Sequence, residues 1–336
     1  MDNHSRIAAN LPSHDRVVVI EASTRCNLAC GFCAYDSRRD TPRHAIPEED
    51  LRDFLGWLGR NALHSGERIL VSWLGGEPFL YKPLAALTEE ARRHYPLRFS
   101  ATTNGTALRE RAVREHVMRC YAELTVSVDG LAPLHDDLRG RAGVFAGTRD
   151  GVRALLDAEP GFRVRANVVL MRRNFDEFPA LCAELAAWGV REITFNQLGG
   201  RDRPEFHRAN RLTLDQASRL ATMAADLYRT LAGRGVHLAY TTAYLERILA
   251  SARDEALPVS DCAPGTRYVF VNAQGRMAPC SFTTDEYGCD LAGTRAMSGP
   301  GELHERFSAA RRRAPAAACS DCPCTNVHGK FSREPH

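Results

Sequence analysis

Three cysteines, Cys26, Cys30 and Cys33, stand in C-x3-C-x2-C spacing on the run Cys26-Asn27-Leu28-Ala29-Cys30-Gly31-Phe32-Cys33. A thiolate is a soft donor that suits iron–sulfur clusters, zinc or copper(I). Three such donors on one loop, with no fourth Cys or His beside them, leave one corner of a metal centre unfilled. Structural sites tend to be closed, whereas an open corner admits a substrate or cofactor. About forty residues on, after the run Ile69-Leu70-Val71-Ser72-Trp73-Leu74, stands Gly75-Gly76-Glu77-Pro78. Two glycines at a strand end let the backbone approach a ligand closely, and Glu77 offers a carboxylate to a cation. A second set of thiols, Cys262, Cys280, Cys319, Cys322 and Cys324, gathers toward the carboxy terminus, and Gly275 stands five residues before Cys280. Four of these thiolates would satisfy a structural zinc ribbon as well as a cluster.

Alternating strands and helices are expected to position these groups. Strand-like runs occur at Val17–Ser23, Ile69–Leu74, Arg98–Thr102, Leu124–Val128, Val164–Met171 and Glu192–Gln197. Their β-branched and apolar density suits parallel strands buried on both faces. Between them lie amphipathic stretches: Leu51, Phe54, Leu55 and Leu58 fall on one helical face after Pro47 and an acidic first turn, and Phe178, Leu181, Cys182 and Leu185 repeat the spacing. Thr213 and Gln216 form a candidate capping box. Such alternation predicts an α/β fold with right-handed crossovers, whose ligand sites gather at the carboxyl ends of the strands. The cysteine loop follows the first strand, Gly75–Pro78 the second, Thr103-Asn104-Gly105 the third and Asp129-Gly130 the fourth. After about residue 235 the alternation is expected to stop, giving way to a hairpin at Tyr268–Ala273 and Arg276–Ser281.

Composition narrows the function. The formal net charge of +3 over 336 residues argues against nucleic acid or an anionic membrane as partner, and Arg311-Arg312-Arg313 reads as a solvated helix face. No apolar run reaches the ~18 residues of a membrane span, and Met1–Arg16 has no signal-peptide core. The expectation is a soluble, cytoplasmic protein, in which eleven cysteines point to metal or catalytic roles rather than disulfides.

The cysteine triplet, with the aromatic Phe32 before its third member, together with Gly75–Pro78 after the second strand, resembles the radical S-adenosylmethionine (SAM) superfamily. The resemblance implies a partial (β/α)6 TIM-like barrel with a small carboxy-terminal hairpin and helix extension. It implies that Cys26, Cys30 and Cys33 hold three irons of a 4Fe–4S cluster whose fourth iron chelates the amino and carboxylate groups of SAM. Gly75, Gly76, Glu77 and Pro78 match the segment that binds the SAM methionine ammonium, and Ser127 the position that contacts its ribose; Phe32 and Asn104 join the same cofactor site. His135-Asp136-x-x-Arg139 resembles a segment of sulfatase-maturating and peptide-modifying members, a surface ion pair being the alternative.

The late cysteines resemble the SPASM/twitch extension, whose one-cluster form implies a single auxiliary 4Fe–4S cluster on Cys262, Cys280, Cys319 and Cys322. Cys324 or Cys289 are alternative ligands, and Cys289 is also a candidate hydrogen-atom donor or a bystander. The expected organisation is an arm at 1–16, a barrel at 17–235 and an auxiliary domain at 236–336. The implied activity is reductive cleavage of SAM to a 5′-deoxyadenosyl radical, fed by a donor such as flavodoxin or ferredoxin, and hydrogen abstraction from a substrate C–H bond. Two substrate classes compete: a peptide or peptide-derived natural product (crosslink, oxidation or epimerisation), and a small sugar or aminocyclitol (dehydrogenation or epimerisation). The short arm is expected to be too small for a fused leader-peptide-binding domain. The loop Asn196–Arg203 carries amides and arginines suited to reading substrate. A non-catalytic, metal-stabilised binding module is the remaining alternative.

Overall fold

The computed structural model describes residues 14–34, 42–200, 203–259, 261–325 and 327–328. Most of the N-terminal arm, and Arg201 and Asp202 of the substrate-reading loop, lie outside the described residues. In chain order the elements are β1 (Arg16–Ser23), α1 (Glu48–Ser65), β2 (Ile69–Gly75), α2 (Leu84–His94), β3 (Arg98–Thr103), α3 (Arg111–Cys120), β4 (Glu123–Ser127), α4 (Ala132–Arg139), α5 (Val144–Ala158), β5 (Arg163–Leu170), α6 (Phe178–Ala187) and β6 (Glu192–Gln197). There follow α7 (Pro204–Asn210), α8 (Leu214–Ala232), β7 (His237–Ala239), α9 (Thr242–Ala252), β8 (Tyr268–Val271), β9 (Arg276–Ala278), α10 (Thr284–Tyr287), β10 (Cys289–Asp290), α11 (Gly301–Arg313) and α12 (Ala317–Ser320).

The strands form one sheet in the order β10-β9-β8-β1-β2-β3-β4-β5-β6-β7. All pairs from β8 through β1 to β7 are parallel, and β9 and β10 add antiparallel at the β8 edge. This is the partial barrel expected, with one difference. The alternation continues past residue 235: β7 extends the parallel sheet beside β6, while β8 closes against β1 from the other side.

Period-two alternation explains the two layers. On β1, Val18, Ile20 and Ala22 are fully buried, and with Val71 and Trp73 they belong to the core that includes the α1 residues Leu51, Phe54, Leu55 and Leu58. Helix α1 starts on Pro47 with Glu48, Glu49 and Asp50 in its first turn and stops at Gly66, whose φ of 73° is the left-handed cap. The Thr213–Gln216 capping box is formed at the start of α8. On the inner face, at the amino ends of β4–β6, Arg163 and Arg165 interlock with Glu123 and Glu192 at 2.6–3.5 Å. This buried lattice fixes strand register and leaves the opposite, carboxyl end of the lumen for chemistry.

Candidate active site

The cysteine loop leaves β1 at Ser23. Cys30 is buried, and Cys26 and Cys33 are half-buried. The three pack with Leu28, Phe32 and Val144 in a small apolar cluster separate from the main core. Burial pushes the Cys30 thiol up to about 11, Arg139 opposes this, and Cys33 and Cys26 add to it. Burial likewise raises Cys26, with Cys33 adding to it. The sulfurs therefore sit close enough to feel one another's charge, as co-ligands of one centre must, and ligation has to displace their protons.

Gly75 and Gly76 root this loop. A Cβ on Gly75 would lie 2.3 Å from Ser23 O, and one on Gly76 would lie 2.2 Å from Arg25 O. The closeness serves two backbone hydrogen bonds, Gly76 N–H to Ser23 O at 2.9 Å and Glu77 N–H to Arg25 O at 2.8 Å. Pro78 then opens a short 3-10 turn capped by the Glu77 side chain.

Glu77 is expected to offer a carboxylate to a cation. It is fully buried, and its oxygens accept from Thr103 Oγ1 at 2.8 Å, Asn104 N–H at 2.7 Å and Phe79 N–H at 3.3 Å. Burial pushes its carboxyl up to about 7, and the Asn104, Thr103 and Phe79 hydrogen bonds pull it back. Asn104, oriented by this contact, donates to Asn27 Oδ1 at 2.9 Å and lies 3.8 Å from Cys26 Sγ. Glu77 thus ties the rims of β2 and β3 to the cysteine loop. Glu77→Gln would set an amide NH2 against these donors. SAM affinity of the cluster-loaded variant should fall about tenfold, because Asn104 and the cysteine loop lose a charge-assisted hydrogen bond that orients them, with iron content unchanged. Unaltered affinity in a SAM titration would limit Glu77 to shaping the turn.

The surface-ion-pair alternative for His135 and Arg139 does not hold, because both are buried. His135 Nδ1 accepts the Asp129 N–H at 3.0 Å, so the ring must be neutral there. Burial, helped by Arg139, pushes its pKa down to about 2. A histidine depressed when folded contributes stability above its ordinary pKa of about 6.5 and loses it as pH falls. Stability should drop by about 1.4 kcal/mol per pH unit below that point on this account. His135→Gln keeps an acceptor without the proton site. Denaturant unfolding near neutral pH and about one unit below 6.5 should show a shallower pH dependence in the variant; equal slopes would remove His135 as the cause.

Asp129 Oδ1 accepts from Val169 N–H at 2.8 Å, and Oδ2 pairs with Arg139 Nη2 at 2.5 Å. Arg139 lies behind the cysteine loop, its guanidinium 5.5 Å from the centre of the Phe32 ring. From the far side, Arg203 donates to Gly31 O at 3.2 Å and Phe32 O at 2.9 Å while covering the Phe206 ring at 4.5 Å. The loop read as substrate-facing therefore uses Arg203 to clasp the cysteine loop. No sequence signal marks that contact, which spans 171 residues to Phe32. Ser127 is half-buried at the end of β4 and pairs in register with Asn167, whose Oδ1 accepts from Asn196 Nδ2 at 3.0 Å. Asn167 is legible only as a polar residue on the inner face of β5. Glu21, also on an inner face, is buried and accepts from Ala273 N–H at 2.9 Å; burial pushes it up to about 7.

In the extension, Cys262, Cys280, Cys319, Cys322 and Cys324 line one cavity of about 170 Å³ together with Tyr268 and Phe282. Burial pushes the Cys262 thiol up to about 11, and Cys280, Cys319 and Cys322 all add to the rise. Cys322 is held by its N–H to Leu257 O at 3.0 Å, and its neighbour Asp321 pairs with the fully buried Arg247. Arg311 is not simply a solvated residue: its Nη1 lies 3.1 Å from Cys262 Sγ. Cys289 stands apart. It sits on edge strand β10 opposite Met277, within the main hydrophobic core, with Arg306, Asp290 and Arg276 as its charged neighbours.

Thiols, a glycine-rooted rim and buried polar braces at the carboxyl ends of parallel strands define a cofactor-dependent α/β enzyme. Residues 20–185 match the family model described as the radical SAM superfamily, and the chain belongs to that superfamily and is a radical SAM enzyme. Membership implies a 4Fe–4S cluster and SAM, and the donor set of Cys26, Cys30 and Cys33 fits such a cluster. The AdoMet-dependent heme synthase of Methanosarcina barkeri is 25% identical over 284 residues, covering 80% of this chain and 77% of that protein. Mycofactocin maturase MftC of Mycolicibacterium smegmatis is 26% identical over 313 residues, covering 90% of this chain and 74% of its own. Streptococcus suis SuiB bound to S-adenosylmethionine shares the fold, with a TM-score of 0.65 at 18% identity over 94% of this chain and 73% of SuiB. Among the described residues no helix is long and apolar enough to cross a membrane.

Proposed function

We propose that this enzyme removes a hydrogen atom from a C–H bond of a peptide or peptide-derived natural product, giving a crosslink, an oxidation or an epimer. Cys26, Cys30 and Cys33 would hold the SAM-binding 4Fe–4S cluster, with Phe32, Gly75, Gly76, Glu77, Pro78, Asn104 and Ser127 forming the surrounding cofactor site. Cys262, Cys280, Cys319 and Cys322 would hold one auxiliary 4Fe–4S cluster. Bound together, cluster and SAM supply an oxidant strong enough to take hydrogen from an unactivated carbon. An external low-potential donor of the flavodoxin or ferredoxin kind is required.

The observation that carries the substrate reading is the inner layer at the carboxyl ends of β4–β6. It presents Ser127, Asn167 and Asn196, which are uncharged, while Arg163 and Arg165 below them are bound by Glu123 and Glu192. Amides and a hydroxyl complement the amide groups of a peptide. The mycofactocin maturase relative supports the same direction. The heme synthase relative raises a tetrapyrrole instead, whose several carboxylates would meet the uncharged Ser127, Asn167 and Asn196 in this layer. A sugar or aminocyclitol is the second reading, because the same layer also complements hydroxyl groups. Cys289, packed in the core, has no part in the proposal.

Reduced enzyme with SAM should convert a short peptide encoded beside its gene, and mass spectrometry should show either a loss of two hydrogens or solvent deuterium at carbon. Turnover of sugars or aminocyclitols alone, with every such peptide returned unchanged, would replace the peptide reading by the second one.

A further inference from the structure

Arg139 ends α4 with its charge buried against the cysteine loop. Its Nη1 lies 3.9 Å from Cys30 Sγ and its Nη2 lies 2.5 Å from Asp129 Oδ2, with side-chain exposures of 9% for Arg139 and 0% for Asp129. The pair is held in one orientation. The Arg139 carbonyl accepts from Ala29 N–H at 3.2 Å, and a Cβ on the next residue, Gly140, would lie 2.5 Å from Ala29 O. Asp129 is fixed by Val169 N–H, by its own N–H to His135, and by Asn174 Nδ2 on its carbonyl at 2.7 Å. The cation therefore lies against the sulfur, and Asp129, on its other nitrogen, is near enough for its charge to reach Cys30 as well. Cys33 also lies within the field of Arg139.

We propose that the Arg139–Asp129 pair sets the reduction potential of the cluster carried by Cys26, Cys30 and Cys33, Arg139 raising it and Asp129 partly offsetting the rise. An external donor adds one electron. The net charge on cluster plus thiolates becomes one unit more negative, and no bond or proton moves. A buried cation at this range favours the more negative form, since its field is poorly screened. Charge and hydrogen bonds around the sulfurs are among the quantities that tune such centres. The inference rests on the reading that places the cluster on these three cysteines.

The test is an EPR-monitored redox titration in a Cys319→Ser/Cys322→Ser background, so that one cluster is observed. Arg139→Gln should disfavour reduction about tenfold, or about 59 mV for a one-electron couple. Asp129→Asn should shift the potential the opposite way by a similar amount, and Arg139→Lys, which keeps the charge, should stay near the parent. A pair that only staples α4 to the segment after β4 would move neither potential, or both in one direction, and either result overturns the inference. If Arg139→Gln does not retain iron, the Asp129→Asn arm decides: an upward shift supports the proposal, and no shift or a downward one overturns it. A parent protein without a cluster signal overturns the underlying reading and this inference with it, whereas a normal parent with unshifted variants overturns this inference alone.

Discussion

Replacing Cys26, Cys30 and Cys33 together by alanine should abolish SAM cleavage and remove about half of the bound iron, as expected for one of two 4Fe–4S clusters. The fold should survive, because these cysteines pack in a small cluster of their own with Leu28 and Val144, apart from the main core. The remaining iron should reside in the extension, where Cys262, Cys280, Cys319 and Cys322 line a separate cavity. Circular dichroism verifies the fold, iron analysis counts the clusters, and chromatography of 5′-deoxyadenosine reads the cleavage. A variant that still forms 5′-deoxyadenosine would show that SAM is cleaved elsewhere.

Gly76→Ala should be strongly damaging although Gly76 carries no ligand. The added Cβ would stand 2.2 Å from Arg25 O, 2.5 Å from Arg25 C and 2.8 Å from Thr24 O. All three are backbone atoms, so no side chain can swing aside, and the exit of β1 must move. Overpacking of this kind costs about 1–3 kcal/mol. Displacing the root of the cysteine loop by about 1 Å should lower the rate of SAM cleavage by about 100-fold. Gly66→Ala is the control: its φ is 73° but nothing lies within 4 Å of the new Cβ. It should lose about 1 kcal/mol or slightly more through left-handed strain and cleave SAM at the parent rate. Parent-like cleavage by Gly76→Ala would mean that the loop is not positioned by this contact.

Much of this architecture is legible in the sequence because parallel strands buried on both faces are dense in apolar and β-branched residues. The run Glu192–Gln197 coincides with β6, and the other five strands differ from their sequence runs by at most one residue at each end. Strand β7 escapes notice because His237–Ala239 is three residues long and gains its definition from pairing with β6. The thiol spacing marks the Cys26–Cys33 loop, since donors on one loop are close by construction. What spacing cannot reveal is direction. Glu77 reads as a carboxylate for a cation, yet its oxygens also accept from Thr103 and Asn104. Cys289 lies near the auxiliary cysteines in sequence, but pairing with Met277 turns it into the core. Arg139 and Arg203 grip the cysteine loop from remote elements, so their roles exist only once the sheet has formed.

The most direct test of the two-centre account is metal and sulfide analysis with Mössbauer spectroscopy on anaerobically reconstituted, 57Fe-loaded wild-type protein. About eight irons and eight sulfides per chain are expected, all in 4Fe–4S form, with SAM perturbing only the cluster on Cys26, Cys30 and Cys33. About four irons with one stoichiometric zinc would contradict this expectation, because the cysteines of the extension would then form a structural ribbon.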